Sequence, residues 1–141
     1  MKLAIDTVIV VRAFIKPASW SGTLLDAYRN DFELIASPAI LAEYQDVANR
    51  PAIRPKYIAS ENQVRAGIMD RLMRATIVNP EIIPAICSDP GDDKFLAAAL
   101  AGEADYPVSE DQDLLSLGEY EGIVICDSQA MSDLLGTADA R

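Results

Sequence analysis

Residues 88–115 read SDPGDDKFLAAALAGEADYPVSEDQDLL, the pattern of a helix, a short turn, a strand and a second acidic turn. Asp89 is suited to cap the helix, and Pro90 fits its first turn. At about 100° per residue, Asp92 shares a face with the apolar residues three, four and seven positions later, whereas Asp93 rotates away. An unpaired carboxylate on an inward face is costly, so Asp92 is expected to cap the helix or to bind a cation.

Polar side chains follow the strand that is predicted at residues 105–108. Ser109, Glu110, Asp111 and Asp113 come directly after its carboxyl end. In open parallel sheets, that end of the strands is where binding and catalytic sites are built. The alternative is that the acids of this segment only cap a helix and form a solvated turn.

The composition indicates a globular chain and excludes several kinds of site. Its 141 residues are half hydrophobic, which predicts one domain over 1–141 with a frayed tail at 136–141. No histidine is present, which excludes Ser–His and Cys–His nucleophiles and zinc–histidine sites. Cys87 and Cys126 form no CxxC pair, so a reduced, cytoplasmic setting is expected. No apolar run reaches the roughly 18 residues that span a membrane.

The charge is strongly acidic, with a formal net value of −10. Such a surface repels phosphate on average, which argues against a non-specific nucleic-acid coat. It leaves open a nucleic acid that is bound locally through a metal. Basic residues concentrate in the middle third of the chain, where a solvated helix face and a substrate path are both open explanations.

Short apolar segments alternate with helical patterns along the whole chain. This alternation predicts an α/β fold, a three-layer α/β/α sandwich around a mainly parallel sheet of about five strands. The predicted strands are 2–6, 33–36, 76–78, 105–108 and 122–126. The other predicted helices begin at Ser19 or Ser21 (to about Arg29), Ser37, Ser60 (to Arg74), and Asp127 or Ser128 (to Leu135). Residues 8–14 fit either a strand or a short helix, and 51–55 is a predicted linker.

Glu43 lies beside the apolar stripe of the helix that begins after Ser37. On a helical projection it falls about 60° to one side of Ile40, while Tyr44 and Val47 continue the stripe. It can therefore face a cleft. The alternative is an ordinary surface glutamate.

Four acids occupy strand ends or inward helix positions: Asp6, Glu43, Asp92 and Asp111. Four carboxylates in one cleft cannot all ionise without counter-charge. Mg²⁺ and Mn²⁺ prefer oxygen ligands of this kind, polarise phosphoryl groups and activate water. With no histidine in the chain, a metal-activated water is the expected nucleophile.

Four sequence blocks carry a family resemblance. They are LAIDT at 3–7, SPAILAEYQDVANRP at 37–51, SDPGDDKFLAAALAGEADY at 88–106 and VSEDQDLLSLGEYEGIVI at 108–125. In order and spacing they resemble the PIN-domain family, and within it the bacterial proteins that look like VapC-type toxins. The resemblance implies a Mg²⁺- or Mn²⁺-dependent endoribonuclease, with RNA as substrate. It also implies an antitoxin partner, a homodimer and no membrane association.

The same resemblance assigns roles to individual positions. Asp6, Glu43, Asp92 and Asp111 become the catalytic acidic quartet. The metal lies between Asp6, Asp92 and Asp111, with Glu43 coordinating it directly or through water. Ser109 and Asp113 are auxiliary residues of the same site.

The chain departs from the family pattern at four positions. Val8 replaces an asparagine that can hold the first aspartate. It is expected to pack as an apolar residue behind Asp6, which leaves that carboxylate oriented by metal and backbone alone. Ser109 stands in place of threonine and keeps the hydroxyl. Glu110 adds a charge, and Pro107 removes a ladder donor, which can mark a bulge.

Three alternatives to a nuclease come from other functional classes. A PIN fold without strong activity could serve as a binding or regulatory module, which Val8 and the acidic surface motivate. A phospho-receiver domain also has acids at strand ends, but no lysine is suitably placed after the last strand. A phosphatase of the Asp-x-Asp type is disfavoured because Asp6-Thr7-Val8 lacks the second aspartate.

Overall fold

The computed structural model describes residues 1–48 and 62–139. The strands are β1 (Lys2–Ile5), β2 (Glu33–Ala36), β3 (Thr76–Ile77), β4 (Tyr106–Val108), β5 (Glu119–Tyr120) and β6 (Ile123–Val124). The helices are α1 (Thr7–Ile15), α2 (Trp20–Leu25), α3 (Pro38–Ala48), α4 (Asn62–Met73), α5 (Pro90–Ala101), α6 (Gln112–Leu117) and α7 (Ser128–Asp139). The predicted linker at 51–55 and the predicted helix start at Ser60 lie outside the described residues.

A four-stranded parallel sheet in the order β3-β2-β1-β4 forms the centre of the fold, with helices packed around it. This arrangement confirms the predicted α/β/α class. The predicted number of about five strands is wrong for this sheet. Residues 119–124 instead form the separate antiparallel hairpin β5-β6.

Pro107 explains why the fifth strand does not join. The Cys126 amide donates to the Pro107 carbonyl at 3.1 Å, and the Ser109 amide donates to the Cys126 carbonyl at 2.9 Å. This is a single parallel bridge, between Val108 and Cys126. In a parallel ladder the N–H and C=O of one residue face the same neighbour, and proline has no N–H to extend the pairing toward Val124. The expected bulge is absent, because β4 keeps one-to-one register with β1.

The predicted helix caps are confirmed where polar side chains accept from the first turn. The accepting side chains are Ser19 (Gly22 amide, 3.2 Å), Ser37 (Ile40 amide, 3.2 Å), Asp89 (Gly91 amide, 2.9 Å) and Asp127 (Ala130 amide, 2.8 Å). The ambiguous segment 8–14 is helical, within α1. Helix α2 ends at Leu25, earlier than expected, and α7 continues to Asp139, through part of the predicted frayed tail.

Small residues let helix α5 lie close to the sheet. Its buried face includes Leu96 and the alanines at 97–99. At its end, a Cβ on Gly102 would come within 2.3 Å of the Ile35 side chain, so this position requires glycine. Within the described residues, no helix is long and apolar enough to cross a membrane.

Candidate active site

Asp6 and Ser109 lie side by side because β1 and β4 are neighbours whose carboxyl ends meet at one edge of the sheet. The Asp6 amide donates to the Val108 carbonyl at 3.0 Å, which fixes the first residue after β1. The Ser109 hydroxyl donates to Asp6 Oδ2 at 2.8 Å. Burial raises the pKa of Asp6 and the charge of Asp111 adds to this, while the Ser109 hydroxyl and the Thr7 amide partly offset it.

One buried hydroxyl connects two of the predicted acids. Ser109 is fully buried, and besides donating to Asp6 it accepts from the Asp111 amide at 2.9 Å. The Asp111 side chain in turn accepts from the Asp113 amide at 2.9 Å and caps α6. The position of Asp6 is therefore coupled to that of the Asp111 backbone through Ser109.

Asp92 lies in the first turn of α5, and the same cluster of acids affects its ionisation. Its pKa is raised to about 7, chiefly by burial and then by the charges of Asp111, Asp6, Asp89 and Asp113. Because those charges contribute to the shift, these carboxylates lie close enough to repel one another. Asp92 consequently changes ionisation near neutral pH.

Asp93 does not rotate away from the protein, so that expectation is wrong. Its side chain is 6% exposed and accepts from the amides of Ile86 (3.1 Å) and Cys87 (2.9 Å). The bond from the Cys87 amide is the main cause of its lowered pKa. The segment at Ile86 and Cys87 lies against this side of α5, and helical periodicity cannot anticipate cover by a loop. Asp93 thus holds a loop, while Asp92 belongs to the acidic cluster.

Glu43 is exposed on α3, and no hydrogen bond joins it to Asp6, Asp92 or Asp111 within the described residues. Its neighbour Tyr44 is buried and donates its hydroxyl to the Ile5 carbonyl, one residue before Asp6. Burial, followed by the charges of Asp6 and Glu43, raises the pKa of Tyr44. Tyr44 therefore fixes α3 against the end of β1, a role that the sequence interpretation missed. The sequence signal for this role was a tyrosine on the apolar stripe beside Glu43, because a buried tyrosine needs a partner for its hydroxyl.

Val8 does not pack behind Asp6, so that prediction is also wrong. Its side chain is 45% exposed, because position 8 projects from the first turn of α1. The expectation that only metal and backbone orient Asp6 is wrong as well, since Ser109 supplies a hydrogen bond.

Replacing Val8 with asparagine is expected to change the free energy of unfolding by less than about 0.5 kcal/mol, because the amide stays hydrated. Any gain in activity should be small, because Asp6 already has a side-chain donor. Urea unfolding of both proteins measures the first effect. A loss above about 2 kcal/mol would indicate a buried position.

The cysteines contribute no nucleophile to the site. Burial, with the neighbouring Asp93, raises the pKa of the Cys87 thiol to about 11. Burial, followed by the charge of Asp127, raises the pKa of the Cys126 thiol to about 12. Both are free thiols, and thiols with such pKa values remain protonated at neutral pH.

The donor set at this edge suits a hard cation, since it consists of carboxylate and hydroxyl oxygens. In the arrangement seen, no three acidic, histidine or cysteine side chains of residues 1–48 and 62–139 are grouped closely enough to hold one ion together. Mg²⁺ keeps several waters and is commonly held by one or two carboxylates, which this spacing permits. Burial and the charges of neighbouring carboxylates raise the pKa values of Asp6 and Asp92, and a bound cation would lower both.

Comparisons with known proteins agree with this fold. An uncharacterized protein of Methanocaldococcus jannaschii is 30% identical over 118 residues, which cover 83% of this chain and 75% of the relative. A chain in the crystal structure of VapBC2 from Rickettsia felis, bound to a DNA fragment from their promoter, matches with a TM-score of 0.55 and 15% identity. That match covers 90% of this chain and 98% of the other, and it shows a shared fold. The model of the PIN domain matches residues 2–113, a range that contains all four predicted acids. The protein therefore belongs to the PIN-domain family, whose members are generally nucleases.

Proposed function

We propose that the protein is a Mg²⁺- or Mn²⁺-dependent endoribonuclease and the toxin of a toxin–antitoxin pair. The observation that carries this proposal is the chain of hydrogen bonds from Asp6 through Ser109 to the Asp111 amide, with Asp92 near enough for Asp111 and Asp6 to raise its pKa. Such a cluster is stabilised when a cation neutralises it. Membership of a family of nucleases supplies the reaction class.

The contacts of Asp6, Ser109 and Asp111 support the roles proposed for them, whereas the role of Glu43 is proposed from the family resemblance. Asp6, Asp92 and Asp111 would hold the cation, with Glu43 joining directly or through water. Ser109 keeps the Asp6 carboxylate in one orientation, because its hydroxyl has a donor and an acceptor contact that are both fixed. When bound, the cation polarises the phosphodiester and lowers the pKa of a water that attacks phosphorus.

Asp92 connects cation binding to ionisation. Without counter-charge its pKa of about 7 leaves it partly protonated at neutral pH. A nearby cation favours the carboxylate, so binding releases a proton. Asp113 is exposed in the first turn of α6 and adds negative charge at the margin of the cluster.

The partner proposal rests on the structural neighbour. That chain comes from VapBC2 bound to promoter DNA, and its likeness supports a search for a cognate antitoxin of this protein. A homodimer is proposed by the same resemblance.

The test is RNA cleavage across a titration of Mg²⁺ and Mn²⁺, with EDTA as the metal-free control and Asp6→Asn as the blank. Calorimetry with Mn²⁺ on both proteins measures binding independently. Cleavage that requires metal and disappears in Asp6→Asn supports the proposal. If the unmodified protein never exceeds the blank, the nuclease proposal fails, and the fold would instead act as a binding or regulatory module.

A further inference from the structure

Arg12 is a cation whose position the proposed catalytic roles do not use. It lies on α1, six residues after Asp6, or about 9 Å along the helix axis at 1.5 Å per residue. Side chains on a helix lean toward its N-terminus, which for α1 is the end at Asp6. The long Arg12 side chain therefore extends toward the edge of the sheet where the acids lie.

The contact that Arg12 makes confirms this direction. Its Nη1 lies 3.8 Å from Oε2 of Glu110, the residue between Ser109 and Asp111. Glu110 is itself anchored, because its Oε1 accepts from the Ser128 hydroxyl and from the Ser128 amide at 3.0 Å. The guanidinium is thus placed beside the loop that carries Asp111.

The Arg12 guanidinium keeps its donors available. Its side chain is 46% exposed, and within the part of the chain that the structure describes its recorded partner is Glu110, at a distance beyond a hydrogen bond. A half-exposed ion pair of this length contributes little to stability. By comparison, Arg74 is similarly exposed but donates to Asp70 at 2.7 Å and to Asn30 at 2.8 Å.

We propose that Arg12 binds a backbone phosphate of the substrate strand, next to the phosphodiester that the acidic cluster would cleave. This inference rests on the proposed nuclease function and names a contact for the substrate. A strand approaching a surface with a net charge of −10 needs local cations. Guanidinium groups suit this role, because they offer several N–H donors in a fork that matches phosphate oxygens. Lys94 is a weaker candidate, since it follows Asp92 by two residues, about 200° round α5.

The experiment measures binding of a labelled single-stranded oligoribonucleotide by fluorescence anisotropy, at several salt concentrations, with Mg²⁺ present. Asp111→Asn is the background, so that turnover does not deplete the probe. Arg12→Ala is added to it, with Arg74→Ala as a control of equal charge change and similar exposure at the opposite end of the sheet. Arg12→Lys tests whether charge alone restores binding, and melting temperatures check that each variant is folded.

Arg12→Ala is expected to weaken binding about tenfold and to reduce the slope of log K against log salt by about 0.7, the value for one phosphate of a single strand. Arg12→Lys should recover the slope, and Arg74→Ala should leave it unchanged. Equal effects of Arg12→Ala and Arg74→Ala would overturn the proposal, as would unchanged binding in Arg12→Ala or no detectable binding in the background. Metal-dependent cleavage by the unmodified protein, with no effect of Arg12→Ala, would leave the nuclease function standing and remove this contact alone.

Discussion

Asp92→Asn and Asp93→Asn are expected to have opposite effects on activity and on stability. Asp92→Asn should lower the rate of RNA cleavage by about 100-fold or more, because loss of an outer partner of a metal alone commonly costs about 10–100-fold. Asp93→Asn should leave most of the activity, since the Asp93 carboxylate is engaged by the loop amides of Ile86 and Cys87. Adjacent, isosteric changes in one helical turn thus serve as controls for each other.

The stability effects follow from the two pKa shifts. The pKa of Asp92 in the folded state, about 7, is raised above its ordinary value of 3.8. The stability associated with the protonated Asp92 is therefore lost as pH rises through 7. In EDTA at pH 8, Asp92→Asn should therefore melt at a higher temperature than the unmodified protein, and the difference should vanish near pH 4. The pKa of Asp93 is lowered, so its stabilisation is present above 3.8 and is lost as pH falls.

Melting curves between pH 4 and pH 8, with and without Mn²⁺, measure both differences. Asp93→Asn should melt lower at pH 8 and approach the unmodified protein at acid pH. Mn²⁺ should stabilise the unmodified protein and Asp93→Asn more than Asp92→Asn. A cleavage defect in Asp93→Asn with full activity in Asp92→Asn would show that the two roles are exchanged.

Ser109→Ala is expected to produce the second large loss. It removes the donor to Asp6 Oδ2 and the acceptor for the Asp111 amide in one change. Loss of an orienting partner commonly lowers metal affinity or activity by about 10–100-fold. The pKa of Asp6 should also rise further, because the hydroxyl is the largest influence that lowers it.

Ser109→Thr is the matched control, since it keeps the hydroxyl. Mn²⁺ calorimetry and cleavage rates on both variants separate orientation from folding, with urea unfolding to record stability. Ser109→Thr should retain most of the affinity that Ser109→Ala loses. Equal losses in both would mean that the buried volume at position 109, and not its hydroxyl, controls the site.

Much of the frame was predictable from local chemistry. Asp89 with Pro90, and Ser37 with Pro38, mark helix starts. The Asp89 and Ser37 side chains accept from amides of the first turn, and proline there has no N–H that needs a partner, whatever the rest of the fold does. The strand at 33–36 was predicted with its observed bounds, since a turn on one side and a helix cap on the other limit how far the apolar run can extend. The contact between Asp6 and Ser109, the first residue after β4, followed from the rule that strand ends meet at one edge.

The wrong predictions concern residues whose surroundings are set by other parts of the fold and not by their own helix or strand. Periodicity placed Asp93 toward solvent, but the amides of Ile86 and Cys87 donate to its carboxylate. Hydrophobicity placed Val8 in the interior, but α1 begins immediately after β1 and leaves that position at the rim. Pro107 was recognised as unusual, yet its consequence depended on which neighbour it faces, a fact that only the sheet topology supplies.

Pro107 also creates a seam between β4 and the Cys126 segment, where local unfolding is expected to be easier than within the four-stranded sheet. Between the four-stranded sheet and the Cys126 segment, the described parallel pairing is one bridge, so solvent should reach these amides more readily than those between β1 and β2. Asp6 and Asp111 both lie on the sheet side of this seam, where Ser109 connects them, whereas Ser128 lies across it. Hydrogen exchange at Ser109 and Cys126 would then report on the seam, which the Glu110 side chain also spans through its contacts with Ser128.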